Sequence, residues 1–410
     1  MQTFTILIIL FFSAVALYKR QWGLYLFVFL LPLYIFRIDV QVFNTGRMVA
    51  LSISEILFYI LTIIVLIRDW REAGRKMREL IIREKLLLLG ILYLLSGVFV
   101  GVWQSNNALQ TVGILRGWII APTALFFISI IIRANKEYIA RALAVSASFV
   151  AAASFFAPHA FNADVRLQGF LGSPNYLAMY LAPLLPFILY EIFKCIRDKK
   201  PFITSAFWVA GCAVTTTAIF FSFSQGAWLG IVAALVVAAL WYAKKRFSTN
   251  AIIIAMFFII LFSEFIGQSF LQDSIASSLK SRAGLWEAAW NIGVSHPLFG
   301  IGAGMFPEAY KIQKHIVLYP TSMETALHPH NIFLSFWLYG GLLGMLGFGI
   351  ILIWLAKKLY IRLLEKEKNS AMLYGAVAAA FIIILVHGLV DTTYWKNDLA
   401  FMWWILLAMV

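Results

Sequence analysis

HPHNIFLSFWLYGGLLGMLGFGIILIWLAKK, residues 328–358, changes from polar to apolar within one step of the chain. His328-Pro329-His330-Asn331 closes a mixed polar stretch that begins at residue 267. From Asn331 to Leu355 there are 25 residues with no charge. As helix they extend about 37 Å, enough to cross a hydrocarbon core of about 30 Å. Lys357-Lys358 then stop the run. One boundary therefore carries a membrane span, a basic end and a polar end rich in histidine.

The same pattern repeats outward from it. The chain has 410 residues, is 62% hydrophobic and only 13% charged, with a mean hydropathy of +0.87. Soluble domains carry about a quarter charged residues, so this composition describes an all-α polytopic membrane protein. Apolar runs fall at 4–18, 22–36, 49–67, 86–103, 111–132, 142–157, 176–193, 202–221, 226–242, 251–266, 331–355, 371–391 and 398–410. Twelve or thirteen spans are expected, because the first two runs could instead form one hairpin. Fourteen Trp, sixteen Tyr and thirty-six Phe suit aromatic belts at the interfaces. Residues 1–410 read as one integral membrane domain, with no internal repeat. The first run lacks a basic leader and a small-residue cleavage site, and reads as a retained span. Cys195 and Cys212 lie far apart along a helical path and are not expected to pair.

Charge orients the spans. Lys19/Arg20 and the segments 68–85, 133–141, 194–200, 244–246 and 357–368 hold 24 of the 33 Lys and Arg. Excess Lys and Arg mark cytoplasmic connections, so a net charge of +14 points to membrane topology and not to nucleic acid. The other face receives 37–48, 104–110, 158–175, 222–225, 267–330 and 392–397, and all six histidines lie in or beside these segments. Histidine exchanges protons near neutral pH, so chemistry is expected on that outer face, with part of the active site in 267–330. Ser281 reads as the N-cap of a helix over 282–294 that His296-Pro297 ends. Gly300, Gly302 and Gly304 read as a flexible turn.

The candidate residues divide by chemistry. Arg166 and Arg282 are outer-face cations, and arginine forks match phosphate oxygens. Arg116, inside the fifth span, reads equally as an ion-pair partner or a ligand-binding cation. Lys280, Lys311 and Lys314 read as solvated. His330, at the mouth of a helix, suits a general base, with His328 beside it and Asn331 either capping the helix or orienting a substrate. A zinc site at His328 and His330 would need Glu324 and another ligand, which the spacing does not supply. The outer acidic residues are isolated, with no paired carboxylates for Mg²⁺ or Mn²⁺. Asp39 is the remaining exception, and no metal or other cofactor is expected. His387 and Asp391, four apart, read equally as a bonded structural pair or as support for the site. Gln225 sits at a tight turn between two spans.

Several segments together resemble the O-antigen ligase and O-antigen polymerase-like family. Leu171-Gly-Ser-Pro174-Asn175-Tyr-Leu-Ala is similar to its Pro-Asn signature, and Ser222-Phe-Ser-Gln225-Gly-Ala-Trp228 to its Ser-x-Ser-Arg-Gly-Ala-Trp motif. Ser281-Arg282, Pro297-Leu-Phe-Gly300-Ile-Gly302, His330-Asn331 and His387-Gly-Leu-Val-Asp391 follow in the family's order, so the likeness covers 165–395. The resemblance implies a fold related to the GT-C glycosyltransferases in a bacterial inner membrane, with the large helical loop on the periplasmic side. It implies an undecaprenyl diphosphate-linked glycan as donor, and lipid A-core, a growing glycan or another hydroxyl as acceptor. It implies diphosphate binding at Arg282 and acceptor activation at His330. Arg166 matches an arginine often found before the Pro-Asn motif. Gln225 departs from the family, which commonly has arginine there. Arg166 or Arg116 would then supply the missing cation. Ligase-type transfer is the favoured reading and polymerase the near alternative. A lipid-linked glycan flippase or transporter and a non-catalytic membrane scaffold are the readings from other classes.

Overall fold

The computed structural model describes residues 2–41, 48–242, 274–316, 326–365 and 368–410. The helices run in order: α1 (Gln2–Tyr18), α2 (Arg20–Phe29), α3 (Ile53–Arg83), α4 (Lys85–Gln104), α5 (Ala108–Ile131), α6 (Lys136–Phe155), α7 (Pro174–Arg197) and α8 (Phe202–Phe221). Then come α9 (Gln225–Tyr242), α10 (Ser274–Ser295), α11 (Phe306–Ile316), α12 (Ile332–Leu363), α13 (Lys368–His387) and α14 (Asn397–Ala408). Among the described residues, seven helices are long and apolar enough to cross a membrane: α4 to α8, α12 and the Ser370–His387 part of α13. Thr3–Tyr18, Gln225–Trp241 and α14 are apolar but shorter. The expected run 251–266 lies outside the described residues. The run 22–36 does not form one helix: α2 ends at Phe29, and a tighter turn over Leu31–Ile35 follows, with Pro32 inside it. Gly23 lies against Ala16, so α1 and α2 pair closely.

The basic connections meet at one end. Arg20 pairs with Asp69 at 2.7 Å, Arg133 with Glu72 at 3.0 Å and Lys358 with Glu84 at 2.6 Å; Lys194 pairs with Glu137. Exposed pairs of this kind stabilise little. Their value is positional, because each joins two of the connections that the charge pattern grouped. Lys244–Arg246 lies outside the described residues. The ends of α4, α6, α12 and α13 that carry Gln104, Phe155, Ile332 and His387 therefore lie at the opposite end.

Close helix approach needs small residues. A Cβ on Gly97 would meet the backbone of Gly340 and Gly344, and one on Gly90 would stand 3.1 Å from Gly347 O. Glycines facing at this spacing let α4 and α12 pack backbone to backbone, as membrane helices do. The last helix, α14, is buried along its length, with Trp403 and Trp404 at its centre. Its buried indole is matched: Trp404 Nε1 donates to Tyr394 Oη at 3.0 Å, and Tyr394 Oη donates to Trp118 O at 2.7 Å.

Two local features differ from the sequence reading. Arg37–Gln41 and Met48–Ser52 form an antiparallel hairpin, with Arg37 paired to Ser52. Ser52 then caps α3, accepting from Glu55 N at 3.2 Å while Glu55 Oε2 accepts from Ser52 N at 2.9 Å. Helix α10 begins at Ser274, so Ser281 is inside it and buried, and is not its cap. No Pro or Gly interrupts 274–281, and Ala, Leu and Lys there favour helix. The helix does stop at Ser295, before His296-Pro297.

Candidate functional site

The glycine turn after α10 is packed, where a flexible turn was expected. Gly300, Gly302 and Gly304 all have positive φ, at 68°, 87° and 84°. A Cβ at each would strike Leu338 O, Gly101 O and Ile114 respectively. The turn is sewn to α12. Ile301 N donates to Leu338 O at 2.7 Å, and Leu342 N donates to Pro297 O at 3.1 Å. Gly341 makes this possible, because it breaks the helix geometry at φ 61°, ψ −160° and lies against Leu298. α10 is thereby held beside the mouth of α12.

At that mouth Asn331 caps α12. Its Oδ1 accepts from Phe333 N at 2.9 Å and Leu334 N at 3.0 Å, and its Nδ2 donates to Leu389 O at 2.9 Å. Ile332 N donates to Gly388 O at 2.7 Å. The start of α12 is thus tied to the end of α13, which brings His330 to Asp391. His330 Nδ1 lies 2.9 Å from Asp391 Oδ1. A carboxylate only accepts, so Nδ1 carries the proton of this bond, and Nε2 is the ring nitrogen not engaged by Asp391. The Asp391 side chain is 3% exposed and the His330 side chain 25%, so the histidine is reachable and its partner is not. His330 adopts φ 49°, a left-handed conformation that costs a non-glycine residue of order 1–3 kcal/mol and concentrates at functional sites. Trp286 Nε1 of α10 donates to His330 O at 3.0 Å and holds that conformation.

Burial alone would push the Asp391 carboxyl up. His330, through charge and its hydrogen bond, together with His387 and Arg282, brings it below the usual carboxylate range. Thr392 N also donates to Asp391 Oδ1, at 2.8 Å. Asp391 Oδ2 and His387 Nδ1 are buried and have no hydrogen-bond partner among the described residues. Of the two sequence readings of His387 and Asp391, the bonded pair is not formed; Asp391 supports His330 instead. His387 Nε2 lies 3.5 Å from Ser224 Oγ, and Gly226 packs against its ring.

The tight turn at 222–225 is therefore part of the same site. Phe223 takes φ 47° there. Arg166 Nε donates to Ser222 O at 2.9 Å, and Arg166 Nη2 to Asn175 Oδ1 at 2.8 Å. Burial pushes the Arg166 guanidinium down, Asp164 opposes this, and Arg282 adds repulsion; arginine keeps its charge regardless. The charge of Arg282 acts on Arg166, His387 and Asp391 alike, so both arginines stand within electrostatic range of Asp391. Gln225 opens α9 directly after this turn.

His328 is close by but differently placed. Its Nδ1 is 3.1 Å from Tyr339 Oη, and its ring lies 5.9 Å from that of Trp118. Burial, then the charge of His330, pushes its pKa down, so it stays neutral at pH 7. Arg116 is not with the other candidates. It pairs with Glu55 at 3.0 Å and donates to Ala50 O at 3.2 Å, lining a cavity that includes neither Arg166, Arg282 nor His330. Asp39 is in the hairpin strand, and Glu324 lies outside the described residues.

One residue escaped the sequence reading. Lys396 Nζ lies 3.4 Å from the Tyr176 ring centroid and 4.7 Å from that of Tyr34. Burial lowers its pKa to about 8, and it repels His328. Its only sequence signal was a lone lysine after Tyr394-Trp395 in an outer segment poor in cations.

Residues 210–349 match a family model described as O-antigen ligase. That segment contains Gln225, Arg282, His328, His330 and Asn331; Arg116, Arg166, Asn175, His387 and Asp391 lie outside it. The match supports an O-antigen ligase-like family. No curated protein matches the chain.

Proposed function

Starting from an O-antigen ligase-like segment in a polytopic helical protein, we propose that this chain is a glycosyltransferase acting on a lipid diphosphate-linked glycan. The observation that carries the reading is the His330–Asp391 pair at 2.9 Å, within the electrostatic range of Arg282 and Arg166. His330 Nε2 takes the proton of the acceptor hydroxyl. The hydroxyl oxygen attacks the anomeric carbon and forms the new C–O bond, and the bond from that carbon to the diphosphate oxygen breaks with inversion. The diphosphate leaves as an anion on its lipid. It needs positive charge and no general acid, and Arg282 and Arg166 supply that charge. Lys396 adds a third cation near the site, which answers the family's missing arginine at Gln225 better than Arg116 does. Asn175 orients Arg166, His387 backs the turn at 222–225, and Asn331 fixes the helix mouth that presents His330. The mechanism uses no metal and no other cofactor.

The donor of this reading is undecaprenyl diphosphate-linked glycan, the membrane the bacterial inner membrane, and the reacting face the periplasmic one, with the C-terminus cytoplasmic. The acceptor is lipid A-core or another glycan hydroxyl, and ligase-type transfer is preferred over polymerisation. The test is transfer from a lipid-linked glycan by purified protein in lipid nanodiscs. Removing a general base costs about 10²–10⁴-fold. His330→Ala is expected to lose transfer to that extent while still inserting and purifying as the wild type does. Full activity of His330→Ala would end this assignment.

A further inference from the structure

The cavity beside Arg116 takes no part in the chemistry above. It measures about 520 Å³, within the range of about 300–1,000 Å³ for small-molecule sites. It lies at the same end of the bundle as His330, between the hairpin, the start of α5 and the start of α14. Asn107, Gln110 and Asn397 line it together with Trp118. A carboxamide both donates and accepts, as vicinal sugar hydroxyls do. An indole offers a flat apolar face with one polar edge. That edge is occupied here, since Trp118 Nε1 donates to Asn397 Oδ1 at 2.5 Å.

Charge separates this cavity from the His330 site. Arg116 is already neutralised by the buried Glu55 carboxylate, and Arg37 is the other cation among the described lining residues. Around His330 the cations Arg166, Arg282 and Lys396 gather with Asp391, while Asp164 acts on Arg166 and Asp398 on Lys396. A diphosphate belongs at the second place, and an uncharged polyol at the first. One side chain joins them: Trp118 lines the cavity and packs against His328, two residues from His330.

We propose that this cavity is a subsite for an uncharged, hydroxyl-rich sugar residue of the glycan. The proposal rests on the glycosyl-transfer reading; the sugar belongs either to the donor chain or to the acceptor. Gly113 allows a clean test. It lines the cavity, and a Cβ built on it meets nothing within 4 Å, so the side chain of Gly113→Trp starts from open space at the cavity wall. With wild-type protein and lipid-linked glycan extracted from the producing cells, initial rates are measured against donor and against acceptor. Gly113→Trp is expected to raise KM about tenfold or more, the equivalent of about 1.4 kcal/mol, for one of the two, while Gly113→Ala changes neither. A rise for the donor assigns the donor sugar; a rise for the acceptor assigns the acceptor sugar; no rise for either overturns the proposal. A binding arm separates this from failure of the catalytic reading. The oligosaccharide freed from that lipid fraction by mild acid is titrated calorimetrically. Wild type and His330→Ala are expected to bind it, and Gly113→Trp to lose binding. Equal binding by Gly113→Trp, or none by wild type, also overturns the proposal.

Discussion

In the proposed reaction His330 becomes a base through neighbours that the sequence does not place beside it. Sequence supplied a histidine at a helix mouth. Asp391, sixty-one residues away, fixes which nitrogen carries the proton. Asp391→Asn is therefore expected to lower the transfer rate by about 10²–10⁴, with donor KM little changed, in the same nanodisc assay. The depressed Asp391 carboxyl gives stability that is present above the ordinary carboxylate value of about 3.9 and is lost only as pH falls through its lower folded value. Wild-type protein should accordingly keep this pair across mildly acidic pH. Lys396 behaves in the opposite sense. Its pKa is lowered by burial to about 8, so folding disfavours its charge. That cost is relieved as pH rises from about 8 towards the free-lysine value of about 10.4, while the cation itself is lost. Donor KM should rise as pH passes through about 8. In Lys396→Met, KM should be raised already at pH 7 and the pH dependence above it should vanish. His330, Arg282 and Arg166 could be named from residue type, because phosphate needs guanidinium and proton transfer needs imidazole. The role of Lys396 could not, because it depends on the rings of Tyr34 and Tyr176 from two distant helical segments.

At the scale of elements, short-range rules located most helices and failed where tertiary contact overrides them. Pro297 stops α10 and Asn331 caps α12, both readable from neighbours in sequence. The spacing of the glycines suggests flexibility, and the fold uses them for packing. Gly300, Gly302, Gly304 and Gly341 instead remove Cβ atoms where backbones meet. Gly341→Ala would combine a strained positive φ with a clash against Leu298 O. Strain of this kind costs of order 1–3 kcal/mol, and the turn holding α10 to α12 should loosen. A drop in thermal stability together with reduced transfer is expected for Gly341→Ala. Gly349→Ala in the same helix, where a Cβ meets nothing within 4 Å, should be neutral or stabilising by up to about 1 kcal/mol. Equal melting of the two variants would remove the role assigned to Gly341. Helix α10 also runs seven residues further back than its supposed cap, because burial of Ser281 in the bundle outweighs its capping preference.

For the whole molecule, the grouping of basic connections predicts sidedness. In a background with Cys195 and Cys212 replaced by serine, a cysteine at Asn107 should react with a membrane-impermeant thiol reagent added to spheroplasts, and one at Lys199 should react only after permeabilisation. Reaction of both from the same side would break the topology. The reading of Asp391 and the arginines as sufficient also predicts that EDTA leaves transfer unchanged. Loss of activity in EDTA, restored by a divalent cation, would return attention to the carboxylates. The sequence by itself determined that this is a polytopic helical membrane protein, which of its connections share a side, and which residue types could do phosphate and proton chemistry. Those follow from local composition, because the bilayer enforces helix and charge enforces orientation. Only the tertiary structure decided that Asp391 serves His330, that Arg116 serves Glu55 in a separate cavity, and that Lys396 joins the cations. Those pairings bring together residues from helices far apart in the chain, and nothing in the local spacing of either partner specifies the other.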